Sequence, residues 1–319
     1  MPFTPPKGAE GCRVEWFYLY GERPTQKFLS KRQIVVKELL GVFKLLRHFG
    51  SLRNAAVYAV GGQWSCLLVH RLFGPLLGNA HFYYRNFYLH SLGEKKAVKR
   101  VLSALLNRKN ITLLVQTPGE EEYFRNLSAK PEIIFYPYCD DTMLGEMKAE
   151  SPKGDSEGYV FTGGYTNRDY ELMAEVARMM PGEKFVIVKS KLNGNVDFPS
   201  NVEVHSDIDP EEFKRLLQGS KVVVVPLKED VGASGQMLCL QAMRCAKPIV
   251  YANVSAISYY FTPSSGYPYE IGNAQSLHCA LQDALSEKLP DAGANAQRIS
   301  MKYTRSAERE MIARALGLQ

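Results

Sequence analysis

The chain lacks any apolar run approaching the roughly 18–20 residues of a membrane-spanning helix. Its opening residues, MPFTPPKGAEGC, lack the apolar centre of a secretory signal, so none is expected. No two of its six cysteines form a Cys-x-x-Cys pair. That speaks against a disulfide framework or a paired-cysteine zinc site and for free thiols in a reducing, cytoplasmic compartment. Low-complexity tracts, internal repeats, a Gly-x-Gly-x-x-Gly fingerprint and a P-loop are also missing. GASGQ, residues 232–236, is not the Gly-x-Ser-x-Gly of a hydrolase nucleophile elbow.

What is present is globular: 319 residues, 45% hydrophobic and 23% charged, a length that suits two domains. Charge divides unevenly. Residues 1–155 carry 22 Lys and Arg against 14 Asp and Glu, whereas 156–319 carry 17 against 19. A basic half beside a mildly acidic one fits an anionic partner for the first half: a membrane surface, a phosphorylated substrate or nucleic acid. Nucleic acid ranks last, because no recognition motif accompanies the cations.

The second half reads as alternating strands and helices. Tyr159–Phe161, Phe185–Val188, Val202–Val204, the unbroken Val222–Pro226 and Ile249–Tyr251 are expected strands, with a further one near Tyr269–Ile271. Helices are expected over Asp169–Met180, from Asp209-Pro210-Glu211-Glu212 onward, after GASGQ and over Ala274–Leu285. The first half alternates less clearly, with Val14–Tyr18, Ala55–Val60, His81–Leu89, Ile111–Val115 and Ile133–Tyr136 as strands. Its helices fall at Ile34–Leu46, Trp64–Leu72, Ala97–Leu106 and Glu120–Leu127. KAESPKGDSEG, residues 148–158, reads as a linker between domains 1–150 and 151–319. The expectation is an α/β chain of two Rossmann-like, doubly wound parallel-sheet domains facing a cleft, the last helix able to cross back to the first domain.

Three strand ends in the second half carry groups suited to a diphosphate. TGGYTNRD follows the first strand, with Gly163 and Gly164 for close backbone approach and Arg168 as a cation. Lys189 and Lys191 follow the second. Ser234, Gly235 and Gln236 open a helix after VVVVPLKEDVGA, where backbone N–H groups and the positive helix end favour an anion. Asp207 and Asp209 imitate a metal-binding Asp-x-Asp, but their place before Pro210 suits helix capping, and no metal is expected.

YVFTGGYTNRDY, VVVVPLKEDVGASGQ and LQAMRCAKPIV resemble the nucleotide-sugar domain of retaining GT-B glycosyltransferases of the family 4 type. The resemblance covers residues 158–285 well and reaches the first half weakly, through ITLLVQTPGEEEYF and IIFYPYCDD. It implies transfer of a sugar from a nucleotide diphosphate sugar to a glycan or lipid-linked acceptor, with retention and with no cofactor beyond the donor. Arg168 and Lys189 would stabilise the departing diphosphate, with Gly163, Gly164, Asn167, Ser234, Gly235 and Gln236 around it. Gln241 would touch ribose, His205 would border the base, and His90 in RNFYLHS would contact sugar or acceptor. The chain departs from the family at Gln241, where a Glu is usual, at Ala233, near a second usual Glu, and at Ala246, where Gly is usual. The usual Gly-rich loop of the first domain has only YGER, residues 20–23, in its place. A binding protein of the same fold with little transferase activity, and a sugar-nucleotide epimerase, remain as alternatives. Cations at Lys27, Lys31, Arg32, Lys95, Lys96, Lys99 and Arg100 suit peripheral attachment to an anionic inner leaflet.

Overall fold

The structure is a computed structural model that describes residues 31–59, 63–85, 95–143, 158–230 and 232–318. The expected strand Val14–Tyr18, YGER, Gly61-Gly62, His90, Lys27 and most of the 148–158 linker lie outside the described residues, as do the side chains of Lys31 and Arg32. Two compact units emerge, residues 1–137 with 309–319 and residues 138–308. The junction precedes the linker because Tyr138–Met143 is bonded into the second unit. Tyr260 donates its hydroxyl to the Tyr138 carbonyl at 2.8 Å, and Arg244 donates to the Thr142 carbonyl at 3.0 Å.

In the first unit the described elements are α1 (Lys31–Arg47), α2 (Phe49–Leu52), β1 (Ala56–Ala59), α3 (Gln63–Phe73), β2 (His81–Arg85), α4 (Lys96–Leu106), β3 (Ile111–Val115), α5 (Pro118–Leu127) and β4 (Glu132–Phe135). The four strands pair in parallel in the order β1-β2-β3-β4. β3 is buried at every position, which its run ITLLV allows, the one polar residue Thr112 donating its hydroxyl to Glu132 at 3.0 Å. Thr117 and Glu120 form a capping box that starts α5, with Pro118 at its first position.

The second unit comprises β5 (Tyr159–Gly163), α6 (Tyr170–Met179), β6 (Phe185–Lys189), β7 (Val202–Ser206), α7 (Pro210–Gln218), β8 (Ser220–Val225), α8 (Gln236–Arg244), β9 (Ile249–Ala252), β10 (Tyr267–Tyr269), α9 (Ala274–Leu285), α10 (Ala292–Ser300) and the start of α11 (Arg305–Ala315). All pairings are parallel, in the order β10-β9-β8-β5-β6-β7. The chain begins in the middle at β5, winds outward to β7, then returns through α7 to β8 and winds the other way. The strand order therefore reverses between β5 and β8, and ligands of such sheets bind beyond the carboxyl ends at that switch point. Val222–Val225 are at most 1% exposed, and each contributes on the order of 1.5–3 kcal/mol by burial. The terminal strands differ: β7 is largely exposed, and β10 carries Pro268, a residue tolerated at a sheet edge.

Candidate donor site at the switch point

The loops that leave β5 and β8 are stitched together along the switch point. Arg168 and Leu227 form an antiparallel bridge, and the Asp169 N–H donates to the Pro226 carbonyl at 3.2 Å. Asn167, left-handed at φ 55°, donates its carboxamide N–H to the Glu229 carbonyl at 2.8 Å and accepts from the Glu229 N–H at 3.2 Å. Ser234, just before α8, donates its hydroxyl to the Thr166 carbonyl at 3.2 Å. The loop after β6 joins them. The Gly164 N–H donates to the Val188 carbonyl at 3.0 Å, and Asn193 donates to the Tyr165 carbonyl at 2.8 Å. The Tyr170 hydroxyl, buried at the start of α6, faces the carbonyls of both Gly164 and Val188.

Arg168 is the centre of this arrangement. It is 9% exposed, and it donates Nε to the Gly163 carbonyl at 2.9 Å and Nη1 to the Thr166 carbonyl at 2.7 Å. No carboxylate pairs with it among the described residues. Burial depresses its pKa, against the opposing pull of Tyr170, Tyr269 and Cys239. A guanidinium taken out of water without a counter-charge is costly, and a bound anion would offset that cost. The neighbouring glycines make room for the protein's own side chains. Gly164 sits at φ +122°, and a Cβ there would fall 2.6 Å from Arg168 Nη2. A Cβ on Gly163 would meet the Phe213 ring at 2.5 Å.

α8 starts with Gly235 at φ +82° and no side-chain cap, and a Cβ there would press on Val225 at 3.0 Å. Its N-terminal turn keeps the positive end of the helix beside the Thr166–Arg168 loop. The side chain of Gln236 turns inward, donating to the Tyr259 hydroxyl at 2.9 Å and the Ala256 carbonyl at 3.3 Å, so what it offers a ligand is backbone. Gln241, about a turn and a half further on, is 8% exposed, and its carboxamide makes no hydrogen bond among the described residues.

The remaining expected residues are spread around this centre. Lys189 ends β6 and donates to the Gly194 carbonyl, and with Lys228 it lowers the pKa of Glu171, the hydrogen bond from Lys228 being the larger effect. Glu171 and Lys228 form a salt bridge of 2.8 Å. His205, on the exposed edge strand β7, bonds Glu203 at 2.8 Å. Asp209 caps α7, accepting from the N–H groups of Glu211 and Glu212 at 3.0 Å each. Asp230 accepts from the Ser255 N–H and hydroxyl, so the loop acid nearest the missing Glu holds the 253–256 turn. Tyr170 was not singled out by sequence, although an aromatic hydroxyl beside the N-cap Asp169 was there to be read.

Residues 188–302 match the family described as Glycosyl transferases group 1. The chain carries a glycosyltransferase domain. Similar solved structures include a sucrose-phosphate synthase from Thermosynechococcus elongatus, 14% identical over 90% of this chain and 79% of that one, with a TM-score of 0.68. HepE from Anabaena in complex with UDP-glucose is 15% identical over 88% of this chain and 82% of its own, with a TM-score of 0.66. A UDP-forming trehalose-phosphate synthase from Burkholderia xenovorans is 11% identical over 90% and 78%, with a TM-score of 0.63. At these identities the likeness is one of fold, and that fold is the GT-B architecture expected from the sequence. No curated protein matches the chain. The matched segment begins at the end of β6 and takes in α7, β8, α8 and β9, so the β8–α8 loop lies inside it while Gly164 and Arg168 precede it.

Proposed function

We propose that the protein transfers a sugar from a nucleotide diphosphate sugar to a glycan or lipid-linked acceptor, with retention at the anomeric carbon. The observation that carries the reading is the buried, carboxylate-free guanidinium of Arg168 at the switch point, beside the uncapped start of α8. Transfer breaks the bond from the sugar C1 to the diphosphate oxygen and forms one from C1 to an acceptor oxygen. Negative charge grows on the departing diphosphate, and preorganised donors aimed at it lower the barrier. Arg168, Lys189 and the backbone of Gly235 and Gln236 are assigned that task, with Gln241 on the ribose. The acceptor proton passes to the leaving phosphate, so no protein base is required. His205 is assigned to the rim of the base site, and His90 to the sugar or acceptor. The reaction is proposed to run without a metal, and activity surviving a chelator would test that.

UDP-sugars are the first donors to try, since HepE was solved with UDP-glucose and the trehalose-phosphate synthase is UDP-forming. Thermal shifts with UDP, GDP, ADP and their sugars test the site directly, because selective binding stabilises the fold. A melting temperature unmoved by all of them would refute the assignment. Gln241 motivates a second reading, a donor-binding protein with little transfer. Donor binding without release of nucleoside diphosphate, across many acceptors, would favour it.

The proposal includes peripheral attachment to the inner face of a membrane. No described helix is long and apolar enough to cross one. α1 turns Glu38 inward to Ser65 and buries Leu45, yet leaves Val35, Val36, Leu39, Leu40 and Phe43 more than half exposed. An outward apolar face with Lys44 and Arg47 in its last turn suits an interfacial helix. Failure to bind anionic liposomes at low salt would remove this part of the reading.

A further inference from the structure

The first unit contains a basic cavity of about 600 Å³ at the edge of its sheet opposite the carboxyl ends. Ala80, Asn110 and Lys130 line it just before β2, β3 and β4, and the ends of α3 and α4 close it. In a parallel sheet those positions share the amino edge, away from where ligands of such sheets ordinarily bind. Arg71, Arg108, Lys109 and Lys130 face the cavity, and no acidic residue lines it. None of the four pairs with a carboxylate among the described residues.

Two features separate this cavity from an ordinary solvated basic surface. Arg108 is half-buried and held in place, its Nη2 donating to the Arg71 carbonyl at 2.8 Å. Gly74 permits that placement, since a Cβ there would lie 3.3 Å from Arg108 Nη1. His70, also on the wall, is 5% exposed, stacks on Phe82 with centroids 4.5 Å apart, and leaves Nδ1 with no hydrogen-bond partner. A guanidinium fork held by a backbone carbonyl and three further cations around one space that no acidic residue lines are complementary to a ligand with several phosphate oxygens, and His70 on the wall reports on its occupancy.

We propose that this cavity binds an oligoanionic phosphate ligand, either a soluble di- or polyphosphate or the headgroup of an anionic phospholipid. The site is independent of the donor site and stands or falls apart from it. The test titrates the full chain with inorganic pyrophosphate while the histidine imidazole resonances are followed, His70 being assigned with H70Q. The His70 signal should shift to saturation. K109Q/K130Q, at two exposed positions, should weaken that binding about tenfold or more, following the few-fold effect of each cation near phosphate. K95Q/K96Q, about 10–15 Å away along α4 at 1.5 Å per residue, should change it less than about twofold. Calorimetry on the same variants gives a second measure should H70Q fail to fold.

Sedimentation with mixed phosphatidylcholine and phosphatidylglycerol vesicles separates the two sources. Vesicle binding lost in K109Q/K130Q but kept in K184Q/K302Q, two exposed lysines of the second unit, assigns the site to a headgroup. A pyrophosphate response with vesicle binding unaffected by K109Q/K130Q assigns it to a soluble ligand. A His70 signal unmoved by pyrophosphate, together with equal vesicle binding in K109Q/K130Q and K184Q/K302Q, overturns the proposal, as does equal loss of pyrophosphate affinity in K109Q/K130Q and K95Q/K96Q.

Discussion

The Arg168 guanidinium lies against the bare Cα of Gly164, so close that a single methyl group there would sit 2.6 Å from Nη2. The backbone at Gly164 is at φ +122°, a conformation that side chains rarely adopt. Glycine at this position thus positions the cation. Gly164→Ala is expected to cost roughly 1–3 kcal/mol in strain and to displace Arg168. The stabilisation by nucleoside diphosphates should fall as far in Gly164→Ala as in Arg168→Ala. Full retention of the ligand-induced thermal shift in Gly164→Ala would separate the two residues and refute the coupling.

Arg168→Lys should not rescue Arg168→Ala. The side chain spans two carbonyls, of Gly163 and Thr166, with a planar fork that an ammonium cannot reproduce. Turnover should drop on the order of 10²–10³-fold in both variants, the scale of losing one preorganised donor. Steady-state kinetics with a UDP-sugar checks this, and near-normal turnover in Arg168→Lys would show that charge alone suffices.

Gln241→Glu should tighten nucleotide binding. The carboxamide has no partner to lose among the described residues, and a carboxylate would make a charge-assisted bond to a ribose hydroxyl. A gain of about 1 kcal/mol, roughly fivefold, is expected for UDP and none for pyrophosphate, which lacks ribose. Equal affinity for UDP in both proteins would remove Gln241 from the ribose site.

Ala246→Gly should stabilise the protein. α8 ends in a Schellman arrangement, with the Ala246 N–H donating to Met243 and the Lys247 N–H to Ala242, and this puts Ala246 at φ 51°. Left-handed backbone costs a non-glycine residue about 1–2 kcal/mol, partly offset by the greater unfolded-state freedom of glycine. The net gain should be about 0.5–1 kcal/mol in chemical denaturation, with donor affinity unchanged. A destabilised variant would contradict the helix-end geometry.

His70 should make the fold sensitive to acid. Burial first, then Arg108 and His81, lowers its pKa from 6.5 to about 4. Between those values the unfolded chain takes up the proton and the folded chain does not. Its contribution is therefore full above about pH 6.5 and is lost progressively toward pH 4, by up to roughly 3 kcal/mol at 1.36 kcal/mol per pKa unit. Denaturation at pH 7 and pH 4.5 should show a smaller pH-dependence for H70Q than for the parent, and identical slopes would exclude His70 as the source.

Much of this was legible in the one-dimensional pattern. Val222–Val225, TGGYTNRD and the Asp-Pro-Glu-Glu start of α7 each combine local signals that agree with one another, and their elements stand where expected. α10 was not legible. It is AGANAQRIS, and it packs on α8 through small residues, Gly293 lying against the Ala246 carbonyl, so it has no apolar stripe to read. β10 falls at Tyr267–Tyr269 rather than Tyr269–Ile271, because Pro268 is acceptable only on the sheet edge that the strand proved to occupy. The cavity beside His70 draws on the ends of two helices and the starts of three strands, and no local spacing announces it.

Sequence alone determined the alternation of strands and helices and the chemistry each loop could offer, because propensity, capping and burial period act over a few neighbouring residues. It did not determine what the groups would be used for. It did not show which partners Asn167 and Gln236 would have within the chain: pairing β5 with β8 sets the Asn167 side chain against the Glu229 backbone, and the inward face of α8 sets the Gln236 side chain against Tyr259. Nor did it show that a Cβ on Gly163 or Gly164 would meet Phe213 or Arg168. Only the tertiary structure could decide this, since a polar group's partner is whatever lies within hydrogen-bond distance of it, and here those partners are five to more than sixty residues away along the chain.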